Sequence, residues 1–216
     1  MKTRRRRRWP WVVGIAAGAL GVLLVPVALV VVPILTHADQ GQANQDPAAE
    51  EWPAVVTATG DDGRERSLEL FPAEPGGSVD SSALVAGQRL VVAGSGYDPS
   101  RGVYLAICRI PDSPAERPTP CLGGMPDAEE GEEGASGDVQ WAASNWINDD
   151  WAWKLFGARP FDDRETGTFT AYLLVPEPTE EALDCRVEAC AVYSRNDHTA
   201  SSDRVQDLGI PVAFAD

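Results

Sequence analysis

Gly167–Val175 reads GTFTAYLLV, which puts Phe169, Ala171, Leu173 and Val175 on one side and Thr168, Thr170 and Tyr172 on the other. A period of two in β-branched and aromatic residues is the signature of a strand with one buried face. Gly102–Arg109 (GVYLAICR) repeats the pattern, with Val103, Leu105 and Ile107 aligned. Ala54–Thr59, Ser67–Phe71, Gln88–Ser95, Val139–Ala143, Glu188–Ser194 and Ile210–Ala215 have the same texture, broken by Gly, Pro and Asp. Seven or eight short strands separated by turn signals, with almost no helical periodicity, predict an all-β, antiparallel β-sandwich of about seven strands. Two segments interrupt it. Pro111–Ser136 is rich in Pro, Gly, Asp and Glu, and its acidic run Asp127–Glu133 reads as a solvated loop. Ser144–Phe161 (SNWINDDWAWKLFGARPF) is aromatic and is expected to carry a short helical turn between strands.

The other end of the chain has a different character. Lys2 and Arg4–Arg8 precede an apolar run without charge, and Val12–Leu35 spans 24 residues of it. As a helix that run would be roughly 36 Å long, enough to cross a hydrocarbon core of about 30 Å with some tilt. The basic cluster keeps its own side cytoplasmic by the positive-inside rule, and Trp9 and Trp11 suit the interfacial aromatic belt. The expected organisation is a cytoplasmic basic segment 1–11, a transmembrane signal-anchor helix 12–35, a flexible polar stalk 39–51 and an extracytoplasmic domain 52–216. Cleavage after Ala38, at a small-x-small site, is the rival reading and would release a secreted domain.

Beyond the first eight residues, 12 Lys+Arg face 33 Asp+Glu, a formal charge of −21 on the exported part. Such a surface repels phosphate backbones, so no nucleic-acid partner is expected. All four cysteines, Cys108, Cys121, Cys185 and Cys190, lie in this part. An even count on the oxidising side of a membrane predicts two disulfides. Three pairings are possible; the nearest-neighbour set, Cys108–Cys121 and Cys185–Cys190, closes small loops contributing about 2–3 kcal/mol each on the chain-entropy model. No C-x-x-C pair occurs, and His198 is the one histidine of the exported domain, so neither a metal nor a cofactor is expected.

Gly94-Ser95-Gly96-Tyr97, followed after a short turn by Val103–Cys108, resembles the second and third strands of the neocarzinostatin family. Asp184-Cys185 and Glu188-Ala189-Cys190, with an alternating strand and a closing Ile210-Pro211-Val212-Ala213-Phe214, are similar to the same family's C-terminal part. The resemblance covers roughly residues 84–214. It implies a seven-stranded immunoglobulin-like sandwich with two disulfides in the nearest-neighbour pairing. The family includes secreted antibiotic apoproteins that hold an enediyne chromophore in a cleft at one end. The sequence departs from those carriers in having Arg109-Ile110 after the first cysteine and Arg195–Thr199 in the loop beside the cleft, so the fold is what carries over.

On the resemblance, the loop Ser194–Asp207 borders the ligand cleft, and Tyr193, Arg195, Asp197, His198 and Arg204 form its candidate rim. The loop also collects Ser201, Ser202 and Asp203 around His198, but no G-x-S-x-G elbow accompanies them, so no catalytic set and no enzyme is expected. Four of the seven tryptophans fall between Trp141 and Trp153. Trp146, Trp151 and Trp153 make an aromatic patch that either packs the insert onto the sandwich or contacts a glycan or other ligand. Asp149-Asp150 and Asp162-Asp163 lack the spacing of a Ca²⁺ loop and read as solvated surface. The resulting expectation is a membrane-anchored extracytoplasmic protein with a non-enzymatic binding or cell-envelope role. Its partners would be the membrane and an unknown small ligand or envelope component. A carrier of a small hydrophobic ligand is the alternative, and a secreted glycan-binding module a further one.

Overall fold

The computed structural model describes residues 31, 32, 34–46, 51–124, 132, 133 and 139–215. Residues 1–37 and 38–216 form two separate units. In the first, residues 31, 32, 34 and 35 are helical, and the Thr36 amide donates to Val32 O at 2.9 Å. The basic segment 1–11 and residues 12–30 and 33 of the expected membrane span lie outside the described residues. Among the described residues no helix is long and apolar enough to cross a membrane.

The second unit is mostly β. It begins with β1 (Val55–Thr59), β2 (Glu65–Pro72), β3 (Arg89–Ser95) and β4 (Val103–Arg109). Next come β5 (Glu132–Glu133), β6 (Gln140–Trp141), β7 (Ser144–Ile147) and a four-residue helix α1 (Trp151–Lys154). β8 (Phe169–Leu174), β9 (Thr179–Glu180), β10 (Leu183–Asp184), β11 (Cys190–Asn196) and β12 (Leu208–Val212) complete it. Two antiparallel four-stranded sheets result, ordered β1-β2-β3-β8 and β12-β11-β4-β7.

Alternation along the strands builds the core. Leu68, Leu70, Leu90, Val92 and Leu173 of one sheet share a buried cluster with Leu105, Ile107, Val192 and Ile210 of the other. Each such side chain gains about 1.5–3 kcal/mol from leaving water, which holds the two sheets face to face as a sandwich. Both disulfides are closed in the nearest-neighbour pairing, Cys108–Cys121 and Cys185–Cys190, and no described cysteine is free.

The G-x-G-Y segment has a steric explanation. A Cβ on Gly94 would lie 2.3 Å from the Phe169 ring, and one on Gly96, at φ +77°, would lie 1.9 Å from Glu65 O. The sheet approaches too closely for a side chain at either position. Tyr97 then plunges fully into the core, edge-on to Phe169, with its hydroxyl 2.6 Å from Ser194 Oγ.

Three differences from the sequence reading have physical causes. Ser144–Ile147, expected within an insert, is the edge strand β7. All four of its residues are buried, so no alternation betrays it. Val139–Ala143 shrinks to the two-residue β6, and α1 supplies the expected helical turn. Residues 39–46, expected as part of a flexible stalk, lie against the sandwich. Ala43 is buried, Arg204 N donates to Gly41 O, and the Gln45 side chain exchanges two hydrogen bonds of 2.8 Å with the Gly209 backbone. These attachments use polar groups and leave no apolar period to read. Residues 47–50 lie outside the described residues.

Candidate functional site

The outer face of the β12-β11-β4-β7 sheet carries the densest chemistry. Register places Arg195 of β11 opposite Tyr104 of β4, and Tyr104 opposite Trp146 of β7. Arg195 Cζ stands 5.9 Å from the Tyr104 ring centroid, and its Nη1 donates to Pro118 O at 2.8 Å. Pro118 belongs to the loop that the Cys108–Cys121 disulfide pins beside β4. Arg117 is carried by the same loop.

Arg204, in the connection from β11 to β12, is only 4% exposed. Its Nη1 donates to Asp207 Oδ2 at 2.8 Å, and Nη2 and Nε donate to the carbonyls of Ser201 and Ser202. Asp207 directly precedes β12. Burial pushes its carboxyl up to about 7, against the pull of Arg204, Arg195 and Arg117. Burial, with the neighbouring Arg117 as a second cause, lowers Arg195 to about 10; Arg117 is itself lowered by burial and by Arg204. Three guanidinium groups thus stand within electrostatic reach of one another around a single carboxylate. Burial raises Tyr104 and Tyr193 to about 12, so both are neutral phenols.

Asp197, expected on the cleft rim, is fully buried and works as an internal anchor. It accepts from Trp146 Nε1 at 2.9 Å, Asn148 Nδ2 at 2.8 Å, the Thr199 amide at 2.8 Å and Thr199 Oγ1. His198 is exposed and its Nδ1 lies 2.8 Å from the Tyr104 hydroxyl. Its ring meets Trp153 nearly perpendicularly, with centroids 4.7 Å apart. The aromatic patch divides by burial: Trp146 lies under Tyr104, Trp153 and His198, Trp153 is half-buried, and Trp151 is 69% exposed beside exposed Leu155 and Phe156. Asp149 is engaged by Lys154 and Arg164, and Asp150 caps α1.

Of the candidate rim, Tyr193 and Arg204 meet at a cavity of about 270 Å³, together with Asp207, Pro118 and the docked segment 43–46. Arg195, Asp197 and His198 do not line it, although Arg195 is bonded to the carbonyl of the lining residue Pro118. A wider groove of about 850 Å³ lies against the other sheet, where Val91, Trp141, Tyr172 and Pro72 supply apolar walls and Arg89 a cation. Sequence reasoning missed Arg117, Tyr104 and Asp207 as site residues. The outward registers of Tyr104 and Arg195 were readable from the alternation of their strands. The arrival of Arg117 and residues 41–45 over that face was not.

No family model matches this chain, and no solved structure matches it. One curated protein is similar: thiamine biosynthesis protein X of Corynebacterium glutamicum, 30% identical over 137 residues, which are 63% of this chain and 61% of that protein. The chain therefore spans about three-fifths of the length of the curated relative it matches.

Proposed function

We propose that this is a single-pass membrane-anchored protein whose exported part is an immunoglobulin-like sandwich of neocarzinostatin type, with a non-enzymatic binding role at the cell envelope. The observation that carries the reading is the closure of both cysteine pairs in a chain whose N-terminus joins Arg4–Arg8 to an uncharged 24-residue run. Paired cysteines suit an oxidising compartment, and the basic-apolar junction is what would deliver the domain there. Crossing from β3 in one sheet to β4 in the other, and back to β8 beside β3, supports the immunoglobulin-like assignment.

Fractionation of cells expressing the tagged chain tests it. The expected result is a carbonate-resistant membrane pellet from which external protease releases a fragment with no alkylatable thiol. Recovery in the soluble cytoplasmic fraction with reduced cysteines overturns the proposal. Release of an intact fragment beginning at Asp39 without protease selects the cleaved, secreted form instead.

A second reading, a small-ligand carrier, is favoured by the two concave sites. The 850 Å³ groove falls within the 300–1,000 Å³ typical of small-molecule sites. Native mass spectrometry of the purified chain should retain a co-purifying compound, and its absence removes the carrier reading. The name of the Corynebacterium glutamicum relative connects that protein with thiamine biosynthesis, so thiamine belongs in the ligand panel.

A further inference from the structure

The geometry points to a binding site for a multivalent oxyanion, of the phosphate-ester or diphosphate class, where Arg117, Arg195 and Arg204 converge on the outer face of the β12-β11-β4-β7 sheet. Charge balance supports it first. The chain carries 33 acidic residues against 18 basic ones, and yet Arg195 is tied to the carbonyl of Pro118, next to Arg117, and Pro118 lines one cavity with Arg204 and Asp207. Asp46 and Glu116, the other acids lining the adjoining cavity, are both exposed. Like charges brought together out of water repel, and a folded chain tolerates this where a counter-anion completes the site. Asp207 is a weak resident counter-anion, because its burial favours the protonated carboxyl up to near neutral pH.

Hydrogen bonding supports it independently. Arg117 Nε and Arg195 Nε are both buried, and neither has a hydrogen-bond partner in the protein. Unmet donors on two neighbouring guanidinium groups are the groups an oxyanion would satisfy. The planar arginine fork matches phosphate oxygens two at a time. The donors are also held in place. Arg195 is fixed by Pro118 O and the Tyr104 ring, Arg204 by three acceptors, and the Arg117 loop by the Cys108–Cys121 disulfide. Little ordering remains to be done on binding, which favours affinity.

This inference rests on the binding role proposed above and names the chemistry of the ligand. It is tested by isothermal titration of the detergent-solubilised full chain with inorganic pyrophosphate, against sodium sulfate and chloride at matched ionic strength. Wild type should bind pyrophosphate saturably at submillimolar concentration. Arg117→Gln, at a half-buried residue whose loss need not disturb the fold, should weaken binding at least tenfold with a melting temperature no lower than that of wild type in the absence of ligand. Asp207→Asn, which removes the competing carboxylate, should tighten it. A merely structural cluster would lose binding in both variants or in neither. Non-saturable pyrophosphate heats, or chloride and pyrophosphate binding alike, overturn the oxyanion site. Should Arg117→Gln not fold, the wild-type comparison of pyrophosphate with chloride decides alone. A neutral compound retained in native mass spectrometry, with no pyrophosphate binding, would sink this inference while leaving the binding role standing.

Discussion

Replacing Asp197 with Ala should separate an internal anchor from a cleft residue. The carboxylate is fully buried and accepts four hydrogen bonds, from Trp146 Nε1, Asn148 Nδ2, Thr199 N and Thr199 Oγ1. Trp146 and Asn148 are themselves only 7% and 6% exposed, so water cannot readily replace the lost acceptor. An orphaned buried donor costs about 1–3 kcal/mol, and bonds to a charged acceptor sit at the upper end of that range. Two orphaned donors and a broken turn at Thr199 add to about 3–5 kcal/mol. In a domain of this size each kcal/mol moves the melting temperature by roughly 2–4 °C, so a fall on the order of 10 °C is expected. Urea unfolding followed by tryptophan fluorescence, with the disulfides intact, reads the change directly. His198→Ala is the control, since an exposed ring beside Trp153 should cost no more than about 1 kcal/mol. If Asp197→Ala lost under about 1 kcal/mol, or His198→Ala lost as much as Asp197→Ala, the anchoring role would be refuted.

Gly96→Ala should cost more than about 3 kcal/mol, because the new Cβ meets Glu65 backbone at a positive φ; thermal melting checks it, and a fall of only a few degrees would contradict the steric account. Replacing the Cys185–Cys190 pair with serines should cost about 2 kcal/mol and the Cys108–Cys121 pair about 3 kcal/mol, as their loop lengths of 5 and 13 residues dictate; equal losses in urea midpoints would argue against the loop-entropy origin. Asp207 has a folded-state pKa raised to about 7 from 3.8, so the folded chain binds the extra proton between those values. Its contribution is fully present below about pH 4 and is lost as pH rises towards 7. Asp207→Asn should therefore gain stability relative to wild type as pH is raised from 4.5 to 7.5, whatever its absolute stability; a pH-independent difference would show that Asp207 titrates normally.

Legibility in the sequence followed the physics of each element. Strands with one buried and one open face, such as Phe169–Leu174 and Val103–Arg109, declare themselves, because the pleat sends alternate side chains to opposite environments. Ser144–Ile147 is silent because Tyr104, Trp153 and His198 cover Trp146 on one face, while Asn145 on the other is buried by hydrogen bonds to the Tyr172 backbone. The glycines before Tyr97 were readable as a motif, and the structure supplies their cause in Phe169 and Glu65.

The candidate rim was legible only in part. Tyr193 and Arg204 do border a cavity, but Asp197 turns inward, where Trp146, Asn148 and Thr199 donate to it and offset the cost of its burial.

Composition, pattern and cysteine count determined by themselves that the chain is acidic after its first eight residues, rich in antiparallel strands and able to close two disulfides. Only the tertiary structure decided that Arg117 joins Arg195 and Arg204. Arg195 and Arg204 share one segment of the chain, but Arg117 lies far before both and shares no motif with them. They meet because sheet register, one disulfide and a tight loop bring their backbones to one face, and long-range geometry of that kind leaves no local trace.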